Sequence, residues 1–505
     1  GSLDAGATYT PPPDSAPAGQ AGTQAWTGRR ASIDITAARN FMLGDDSAAD
    51  PQLRIGGTLR ATGGVSVKAG SDASGLGISL GTKTAVIASA TGRFASDGTE
   101  AWTDTAAGAD GMVTLRADGA IRMHGELTAF DTGADIDVAS LGQVVVDGLI
   151  TADDQLTVQG GLHSSRVGIL VSTLVLNDEN QYESGGTLDT VAGGTIRLTA
   201  TDGIKIEGVI GQRDLGSAKV GLLEISSTGH DVTVLRNVDV RDEVTIAGQS
   251  INVLSGSYVW ATGANSEVYM RARNALTVSG ALAPKAQAIV KADELVHLAA
   301  PSVTIMGQVE AGLVAVNPAD AADVDADRTV DMKGLSLTAG QAYAVRIAHG
   351  PVGSETVHTF TETLGTPLTQ TLEQLVAALA EKIDADAAYT AVVDAANQAQ
   401  INVTSGAGTA RISITLGDDP AAGRVLFNAG KSLTVGGIVS SNDRIDMNAG
   451  VDMGWTRAQL EGAIASTQLR GGSLTASGNG LVSAGGAVTL QAGGPVVLDA
   501  QAAVT

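Results

Sequence analysis

The stretch that decides the fold is "VTLRADGAIRMHGEL", which runs from Val113 to Leu127. Its apolar positions return in "IRLTATDGIKIEGVI" (196–210) and "VYMRARNALTVSGAL" (268–282), whereas most of the letters between them change. In each copy, apolar and polar residues alternate on either side of a short turn, which is the pattern of strands with one buried face. The apolar spacing is kept while the residues between the apolar positions change. This indicates that the type of residue is constrained only at the inward positions.

The inward positions of these copies predict an aliphatic core. They are Val113, Leu115, Ile121, Met123, Ile204, Ile206, Leu276 and Val278. The second half of the stretch, apolar-x-apolar-x-Gly-x-apolar, recurs alone in "VVVDGLI" (144–150), "LTVQGGL" (156–162), "VTIMGQV" (303–309) and "LTVGGIV" (433–439). Its glycine falls where the chain must bend, and a residue without Cβ is tolerated at such a corner.

Short strands, corner glycines and polar turns that return every 20–30 residues or so indicate a repeat architecture. One coil cannot bury its apolar face alone, but stacked coils bury a continuous core and pair their backbones in parallel ladders. We therefore predict a mainly β fold, a parallel β-helix (β-solenoid), with a small α+β insert. An antiparallel sandwich is the alternative, and it would contain more Asn-Gly hairpins and more aromatic residues.

Two segments depart from the repeat pattern. Residues 1–28 are rich in Pro, Gly and Ala, which is typical of an extended arm or linker. Residues 334–417 combine strand patterns with a helix pattern, and we predict that they form a compact α+β insert. The β-solenoid is then expected to span 29–333 and to continue over 418–505.

The helix of the insert is predicted from "TLEQLVAALAEKID". Leu372, Leu375, Val376, Leu379 and Ile383 form the apolar stripe of an amphipathic helix. Thr371 with Gln374 three positions later matches a capping box. Strands are predicted before the helix, from the alternation of Tyr343, Val345 and Ile347, and after it.

The composition restricts the partners. The net charge of -23 disfavours nucleic acid and anionic membranes, because both require a basic surface. The longest apolar run, "VGILVSTLVL" (167–176), is too short for a membrane helix, so we expect no membrane insertion by this segment. The chain contains no cysteine, which excludes disulfides and thiolate chemistry.

The candidate metal site lies in "DAADVDADR", where Asp323, Asp325 and Asp327 have the D-x-D-x-D spacing of a calcium loop. Arg328 occupies the position where such loops have glycine, and no glutamate follows at the twelfth position. An acidic linker between solenoid and insert explains the same residues. We therefore expect no cofactor, with calcium as the one cation that the spacing would suit.

The histidines and tryptophans are scattered along the chain. The histidines lack metal-ligand spacing, and His124 and His297 occupy outward strand positions, where we expect them to face solvent. Trp260, with Tyr258 beside it, has the pattern of an exposed aromatic. The tryptophans at 26, 102, 260 and 455 are too far apart in the sequence to predict a sugar-binding groove, and packing of caps and loops is the expected role.

The runs "LTVQGGL", "IRLTATDGIKIEGVI" and "LTVSGAL" resemble the degenerate strand repeats of filamentous-haemagglutinin-type and other giant β-helical exoproteins and adhesins of Gram-negative bacteria. The resemblance covers the chain outside the arm and the insert, but the secretion signature of the haemagglutinin N-terminus is not visible. It implies an extracellular stalk, secreted or attached to the cell surface, that presents binding modules. The implied partners are a surface glycan or protein and flanking repeats of the same parent chain.

Two classes of function are consistent with this pattern. The first is a non-enzymatic structural and adhesive surface protein, in which the solenoid is a stalk and the insert a side module. The alternative is a polysaccharide-active β-helix enzyme, a lyase, hydrolase or depolymerase. Such an enzyme requires an acid and a base or nucleophile on adjacent coils. We find no such clustered set in the sequence and predict the adhesin.

Overall fold

The fold is described from a computed structural model of the chain. The described residues are 2–5, 7–10, 23–26, 32–43, 53–55, 58–61, 63–71, 75–81, 84–88, 92–94, 100–102, 112–129, 133–172, 175–176, 182–191, 193–211, 213–214, 217–218, 220–263, 265–282, 286–312, 314–315, 327–332, 337, 342–349, 356–365, 367, 369–395, 397–405, 412–417, 423–462, 464–477, 480–484, 487–498 and 503–504. Most of them form strands, and the α-helices among them span Leu372–Asp384 and Arg457–Glu461.

The strands form a parallel β-solenoid with an inserted α+β module, which confirms the predicted fold class. Each coil has a strand on a first, a second and a third face. In the opening stretch these strands are Met112–Ala117, Ala120–Met123 and Glu126–Ala129. The next coil begins with Asp135–Ser140, which pairs in parallel with Met112–Ala117. This pairing places equivalent positions of successive coils side by side, and the apolar spacing therefore recurs.

The inward positions are buried as predicted. Val113, Leu115, Ile121 and Met123 have no exposed surface, and Leu127 is 1% exposed. The predicted inward residues of the later copies are also buried, namely Ile204, Ile206, Leu276 and Val278. An aliphatic side chain buried in this way contributes about 1.5–3 kcal/mol relative to an exposed one.

The chain divides into two compact units. Unit 1 comprises Gly1–Gln212 and Lys219–Asn237, and unit 2 comprises Arg213–Ala218 and Val238–Thr505.

Unit 1 has a separate strand on each face of its coils. The first face contains Ile33–Ala37, Val65–Ala69, Met112–Ala117, Asp135–Ser140, Gln155–Gly160, Thr195–Ala200 and Leu222–Ser227. The second contains Leu53–Ile55, Phe41–Leu43, Leu76–Leu80, Ala120–Met123, Val144–Val146, Val167–Val171, Gly203–Ile206 and Val232–Val234. The third contains Ser2–Ala5, Thr58–Ala61, Ala85–Ala88, Glu126–Ala129, Leu149–Ala152, Thr187–Thr190 and Val209–Ile210.

Unit 2 joins its first and second faces through long strands. Glu243–Val253, Glu267–Val278, Leu295–Ile305 and Arg424–Val435 each cover both faces. Arg444–Ala449 and Ala487–Ala492 continue the first face, and Ser473–Ala476 and Val496–Leu498 continue the second. The third face contains Asn237–Val240, in which the boundary between the units falls, and Tyr258–Ala261, Ile289–Ala292, Gln308–Ala311, Ile438–Ser441, Leu481–Ala484 and Ala503–Val504.

The corner glycines are required because successive coils approach closely. A Cβ added to Gly148 would stand 2.0 Å from the carbonyl oxygen of Gly125, and one added to Gly437 would stand 2.0 Å from that of Gly307. Backbone atoms cannot move aside as a flexible side chain can. Any larger residue at these corners would therefore push adjacent coils apart.

Two details of the predicted repeat are wrong. The run "LTVQGGL" belongs to the first face, because Val158 lies beside Leu198 in the pairing of Gln155–Gly160 with Thr195–Ala200. Its final Leu162 lies past the corner and is 66% exposed. Leu282 is 70% exposed for a similar reason, since the chain runs on beyond it before the next third-face strand begins.

The segment 1–28, expected to be an arm or linker, contains strands. Ser2–Ala5 pairs in parallel with Thr58–Ala61 on the third face. Ala7–Thr10 and Thr23–Trp26 pair with each other in a four-stranded sheet that also contains Gly92–Phe94 and Glu100–Trp102. Two antiparallel hairpins interrupt the coils elsewhere, Val175–Leu176 with Tyr182–Ser184 and Arg213–Asp214 with Ser217–Ala218.

The α+β module lies between Gly312 and Gly423. Its four-stranded antiparallel sheet contains Val314–Ala315, Ile412–Gly417, Ala342–His349 and Thr356–Thr363. Its three-stranded sheet contains Asp327–Asp331, Gln400–Ser405 and Tyr389–Val393, so module strands begin before residue 334. The helix Leu372–Asp384 carries the predicted capping box and buries Leu375, Val376, Leu379 and Ile383, which confirms the predicted stripe.

Candidate functional site

A connected group of described polar side chains lies in unit 2, beneath a long excursion of the chain. After the first-face strand Arg444–Ala449 the chain leaves the coil, and it re-enters at the second-face strand Ser473–Ala476. We call residues 450–471 the cover loop. The loop contains the helix Arg457–Glu461 and the 3₁₀ turn Ser466–Gln468.

The two ends of the cover loop meet at glycines. Gly450 has φ +94° and Gly471 has φ +64°, a region that L side chains rarely adopt. The Arg470 amide donates to the Gly450 carbonyl at 2.8 Å, which closes the excursion at its base. The two ends of the cover loop are therefore fixed beside each other.

Apolar contacts hold the cover loop against the outer side of the first face. Val451, Leu460, Ile464 and Leu469 form a buried cluster with Ala299 of the strand beneath. Met453 and Trp455 pack against this cluster. The expected packing role of a tryptophan in a loop is thus confirmed for Trp455.

Arg457 joins the helix of the cover loop to two coils. Its Nη1 donates to Glu243 Oε1 at 2.7 Å, and its Nη2 donates to Glu267 Oε2. Its Nε donates to Glu461 Oε1 at 2.6 Å within the same helix. The guanidinium carbon lies 4.6 Å from the centroid of the Tyr269 ring, within the range of a cation–π contact. Each of the three guanidinium nitrogens therefore donates a hydrogen bond that helps to hold the loop.

His297 lies under the loop with no exposed side-chain surface. Its Nε2 is 3.0 Å from Asn428 Nδ2, an amide donor, so Nε2 must accept. The proton of the neutral ring then resides on Nδ1, which donates to Glu461 Oε1 at 3.3 Å. The hydrogen-bond partners thus select one neutral tautomer of His297.

Asn428 extends this network along the first face. Its Nδ2 also donates to the Leu460 carbonyl at 2.9 Å, and its Oδ1 accepts from Asn448 Nδ2 at 3.0 Å. Arg424 donates to Asp446 at 2.9 Å and to the Glu461 carbonyl at 2.9 Å. The cover loop therefore receives hydrogen bonds at both its side chains and its backbone.

Burial and pairing shift the protonation equilibria of this network. Burial lowers the pKa of His297 below its ordinary value of 6.5. The hydrogen bond from His297, together with the hydrogen bond and charge of Arg457, lowers the pKa of Glu461 to about 2. Burial raises the pKa of Glu267, and its neighbouring carboxylates add to the effect although Arg457 opposes it. A neutral His297 and an ionised Glu461 are the forms that fit the closed loop.

The side chains of this network hold the cover loop against the first face. The His297 ring, the Asn428 amide and the Arg457 guanidinium are each engaged by neighbours, and His297 has no access to solvent. A general base must reach the proton that it abstracts. With the loop closed, the geometry holds His297 away from any dissolved substrate.

The root of the α+β module has a different geometry. Gly312 and Gly423 both have positive φ, +80° and +104°. A Cβ added to Gly423 would stand 2.5 Å from the Cα of Gly312, so the chain leaves and re-enters the coil at adjacent residues. Ser441 Oγ donates to the Gly423 carbonyl at 2.5 Å and fixes this junction. The described residues between the two glycines form a buried cluster of their own, which includes Val345, Leu379 and Ile401.

The module carries a small aromatic and charged patch. His358 Nδ1 lies 2.7 Å from Asp386 Oδ2, and both side chains are about a quarter exposed, 28% and 27%. Tyr389 meets the rings of His358 and Phe360 edge-on, with centroids 5.2 Å and 6.0 Å away. Burial, reinforced by Asp386, raises the pKa of Tyr389 to about 12.

The candidate calcium residues are not brought into a described site. Asp323 and Asp325 lie outside the described residues, and Asp327 is described only as the first residue of the strand Asp327–Asp331. Within the described ranges, no group of three or more His, Asp or Glu side chains is arranged to hold a metal ion.

One prediction of exposure is wrong, and one residue with the pattern of an exposed aromatic is packed instead. His297 occupies the predicted outward position between Val296 and Leu298, but the cover loop buries it. Trp260 is 1% exposed, with its ring centroid 4.8 Å from that of Tyr258. His124 is partly exposed, as its outward position predicts, and lies 2.8 Å from Asp147.

The cover loop and its fastening residues were missed by sequence reasoning, although one signal was present. Thr456 is followed three positions later by Gln459, and both hydrogen bonds of a capping box form, at 3.3 Å and 2.9 Å. The same signature predicts the helix of the module at Thr371 and Gln374. Nothing in the sequence links Arg457 to Glu243, because 214 positions separate them.

Comparisons of the chain with family models, with curated proteins and with solved structures found no match. Among the described helices, none is long and apolar enough to cross a membrane.

Proposed function

We propose that this chain is a structural and adhesive segment of a large secreted or surface-attached bacterial repeat protein. In this proposal the solenoid is the stalk, the α+β module is the part that binds, and the binding partner is a surface glycan or protein. The segment acts outside the cell and has no catalytic role.

The observation that carries the proposal is the root of the module. Gly312 and Gly423 are adjacent, so coil pairing continues between Leu295–Ile305 and Arg424–Val435 as if the module were absent. The module meanwhile buries its own apolar residues. A unit that neither interrupts the coils nor depends on them for its core is suited to presentation on a scaffold.

The composition is compatible with an extracellular role. A cysteine-free chain with a net charge of -23 resists both intermolecular disulfide formation and association with acidic polymers.

The partly exposed patch of His358, Phe360 and Asp386 offers a ring together with hydrogen-bonding groups, a combination that suits sugars and polar protein surfaces.

The test compares the full chain with a variant in which Gly312 is joined directly to Gly423. Both proteins are immobilised and exposed to a glycan array and to intact bacterial and host cells. The proposal expects the full chain to bind at least one glycan class or cell type and the excised variant to lose that binding. Equal binding by the excised variant would place adhesion elsewhere and contradict the proposal.

Two point variants refine the test. His358→Ala removes a ring of the patch, whereas Val392→Ser changes a residue that is 60% exposed on the strand Tyr389–Val393. We expect the first to weaken binding about tenfold, the effect of losing roughly 1.4 kcal/mol, and the second to leave it unchanged. Release of soluble sugar from a bound glycan would instead favour a polysaccharide-active enzyme.

A further inference from the structure

The closed cover loop depends on the protonation state of one buried ring. Both nitrogens of His297 are committed, Nδ1 as donor to Glu461 and Nε2 as acceptor from Asn428. A second proton on the ring would place an N–H at Nε2 against the N–H of the Asn428 amide. The neutral ring fits the closed loop and the charged ring does not.

The Asn428 side chain cannot relieve this conflict by turning over. Its Nδ2 donates to the Leu460 carbonyl and its Oδ1 accepts from Asn448 Nδ2. A flipped amide would set oxygen against the Leu460 carbonyl and nitrogen against the Asn448 amide. The conflict between the two N–H groups is therefore relieved only when the loop, which carries Leu460, moves away from the first face.

The charges around His297 come from the loop and from every neighbouring strand. On the loop, Glu461 favours a charged ring and Arg457 opposes it. On the coils, Arg424 also opposes it. The remaining titratable groups of the network are Glu243, Glu267, Tyr269, Arg271, Glu294, Arg444 and Asp446. Complete burial and the two cations favour the neutral ring more strongly than the one carboxylate in contact with it favours the charged ring.

We propose that the cover loop is a pH-sensitive latch, closed at neutral pH and released from the first face when His297 takes up a proton. Gly450 and Gly471 are the hinges, since among the described residues of the loop they are the two with positive φ. Release uncovers a strip of the first face that carries Tyr269, His297 and Asn428. The proposal is independent of whether the module is adhesive.

The sign of the pH dependence follows from linkage. The open loop binds a proton on His297 at the ordinary pKa of 6.5, whereas the pKa in the closed loop is lower. The closed form is therefore fully favoured above pH 6.5 and loses stability as the pH falls. Glu461 adds to the effect below its ordinary pKa of 4.5, because its pKa is about 2 when the loop is closed. Glu267, with a raised pKa, has the opposite and partial effect.

The test uses the absence of cysteine to place two spin labels. Thr467→Cys labels the exposed 3₁₀ turn of the loop, and Lys431→Cys labels an exposed residue of the coil. The distance between the labels is measured from about pH 7.5 to about pH 4.5, the range over which histidine titrates. We expect one short distance at the upper end and a growing population of longer distances below pH 6.5. The ratio of open to closed should rise by up to about tenfold per pH unit.

His297→Gln is the informative variant. Glutamine can donate to Glu461 and accept from Asn428, but it cannot be protonated in this range. We expect the latch of this variant to stay closed at about pH 5, where the parent chain opens, and His124→Gln to behave like the parent. Far-UV circular dichroism on the same samples separates release of the loop from unfolding of the coils.

Three results would overturn the proposal. The first is a single short distance in the parent chain down to about pH 4.5. The second is opening of His297→Gln at the same pH as the parent, which would assign the effect to carboxylates alone. The third is a loss of the far-UV circular dichroism signal of the coils whenever the distance between the labels changes, because the coils would then be unfolding. If His297→Gln does not fold, His297→Asn replaces it, because its amide also carries a donor and an acceptor and is not protonated in this range, so the latch should again stay closed at about pH 5.

Discussion

The α+β module and the cover loop are both excursions from a coil of unit 2, and both are rooted at glycines with positive φ. They differ in where their apolar residues go. The module buries Leu375 and Leu379 among its own strands, whereas the cover loop buries Leu460 against Ala299 of the coil. The difference shows how one kind of root can support either a unit with its own core or a part of the scaffold.

Their polar residues differ in the same way. The module pairs Lys382 with Glu362 inside itself at 2.7 Å. The cover loop sends Arg457 to Glu243 and Glu267 of two separate coils. Removal of the module should therefore leave the hydrogen bonds and ion pairs of the coils intact, while removal of the loop should take away contacts that join separate coils.

The largest expected effect comes from deleting each excursion in turn. Joining Gly312 to Gly423 should leave the melting temperature of the coils within a few degrees of the parent value. Joining Gly450 to Gly471 should lower the free energy of unfolding by on the order of 5 kcal/mol, because the coils lose the hydrogen bonds and ion pairs that they make with the loop and Ala299 loses its apolar cover. Thermal unfolding followed by far-UV circular dichroism compares the two. Equal losses would remove the distinction between the excursions.

A smaller effect is expected from one leucine in each excursion. Leu375→Ala and Leu460→Ala both remove a fully buried side chain and should each cost about 2–5 kcal/mol. The loss at Leu375 should affect unfolding of the module only, and the loss at Leu460 should lower the stability of the coils. Limited proteolysis, with cleavage sites mapped by mass spectrometry, distinguishes the two. Cleavage within the coils of the Leu375→Ala variant would contradict the distinction between the module and the cover loop.

Arg457→Gln should have the next largest effect. The substitution removes contacts to three carboxylates whose side chains are 27–36% exposed, so solvent screens part of the loss. We expect about 1–3 kcal/mol, measured by denaturant unfolding. Arg197→Gln is the matched control, since its pairing with Glu224 is exposed and should be worth less than about 1 kcal/mol. The account would be weakened if the two variants had the same stability.

The smallest effect is expected at the ion pair of the module. Lys382 is 45% exposed, and Lys382→Met should cost less than about 1 kcal/mol. The cost should fall further at high salt, because exposed pairs are screened. Melting of the module at two ionic strengths provides the measurement. A large effect that resists salt would show that the pair is more deeply coupled to the module core than its exposure indicates.

The coil interior could be predicted from the sequence because inward positions obey a local rule. The period of two identifies Val113 and Leu115 as one buried face, and the glycine of "VVVDGLI" identifies a corner. The rule does not say which face a strand belongs to. "LTVQGGL" fits the second face in its letters but lies on the first in its pairing, and Leu162 is exposed as a result.

The burial of outward residues could not be predicted, since it depends on contacts that are remote in the sequence. His297 lies at an outward position of its strand, because its neighbours Val296 and Leu298 lie at inward positions. What buries it is Glu461 and the rest of the cover loop, 164 positions later. The helix of that loop was within reach of sequence reasoning through Thr456 and Gln459, but the surface that it covers was not.

Hydrogen exchange tests the central claim, that the cover loop belongs to the scaffold and the module does not. The amides of Leu375 and Leu460 form a matched pair, because each donates to the carbonyl of the capping threonine of its helix, at 3.1 Å and 3.0 Å. Val303→Ala removes buried surface from the coil interior and should destabilise the coils by about 0.5–3 kcal/mol. At neutral pH the account predicts that this variant exchanges the Leu460 amide faster and the Leu375 amide at the parent rate. Equal acceleration of both amides, or acceleration of Leu375 alone, would contradict it.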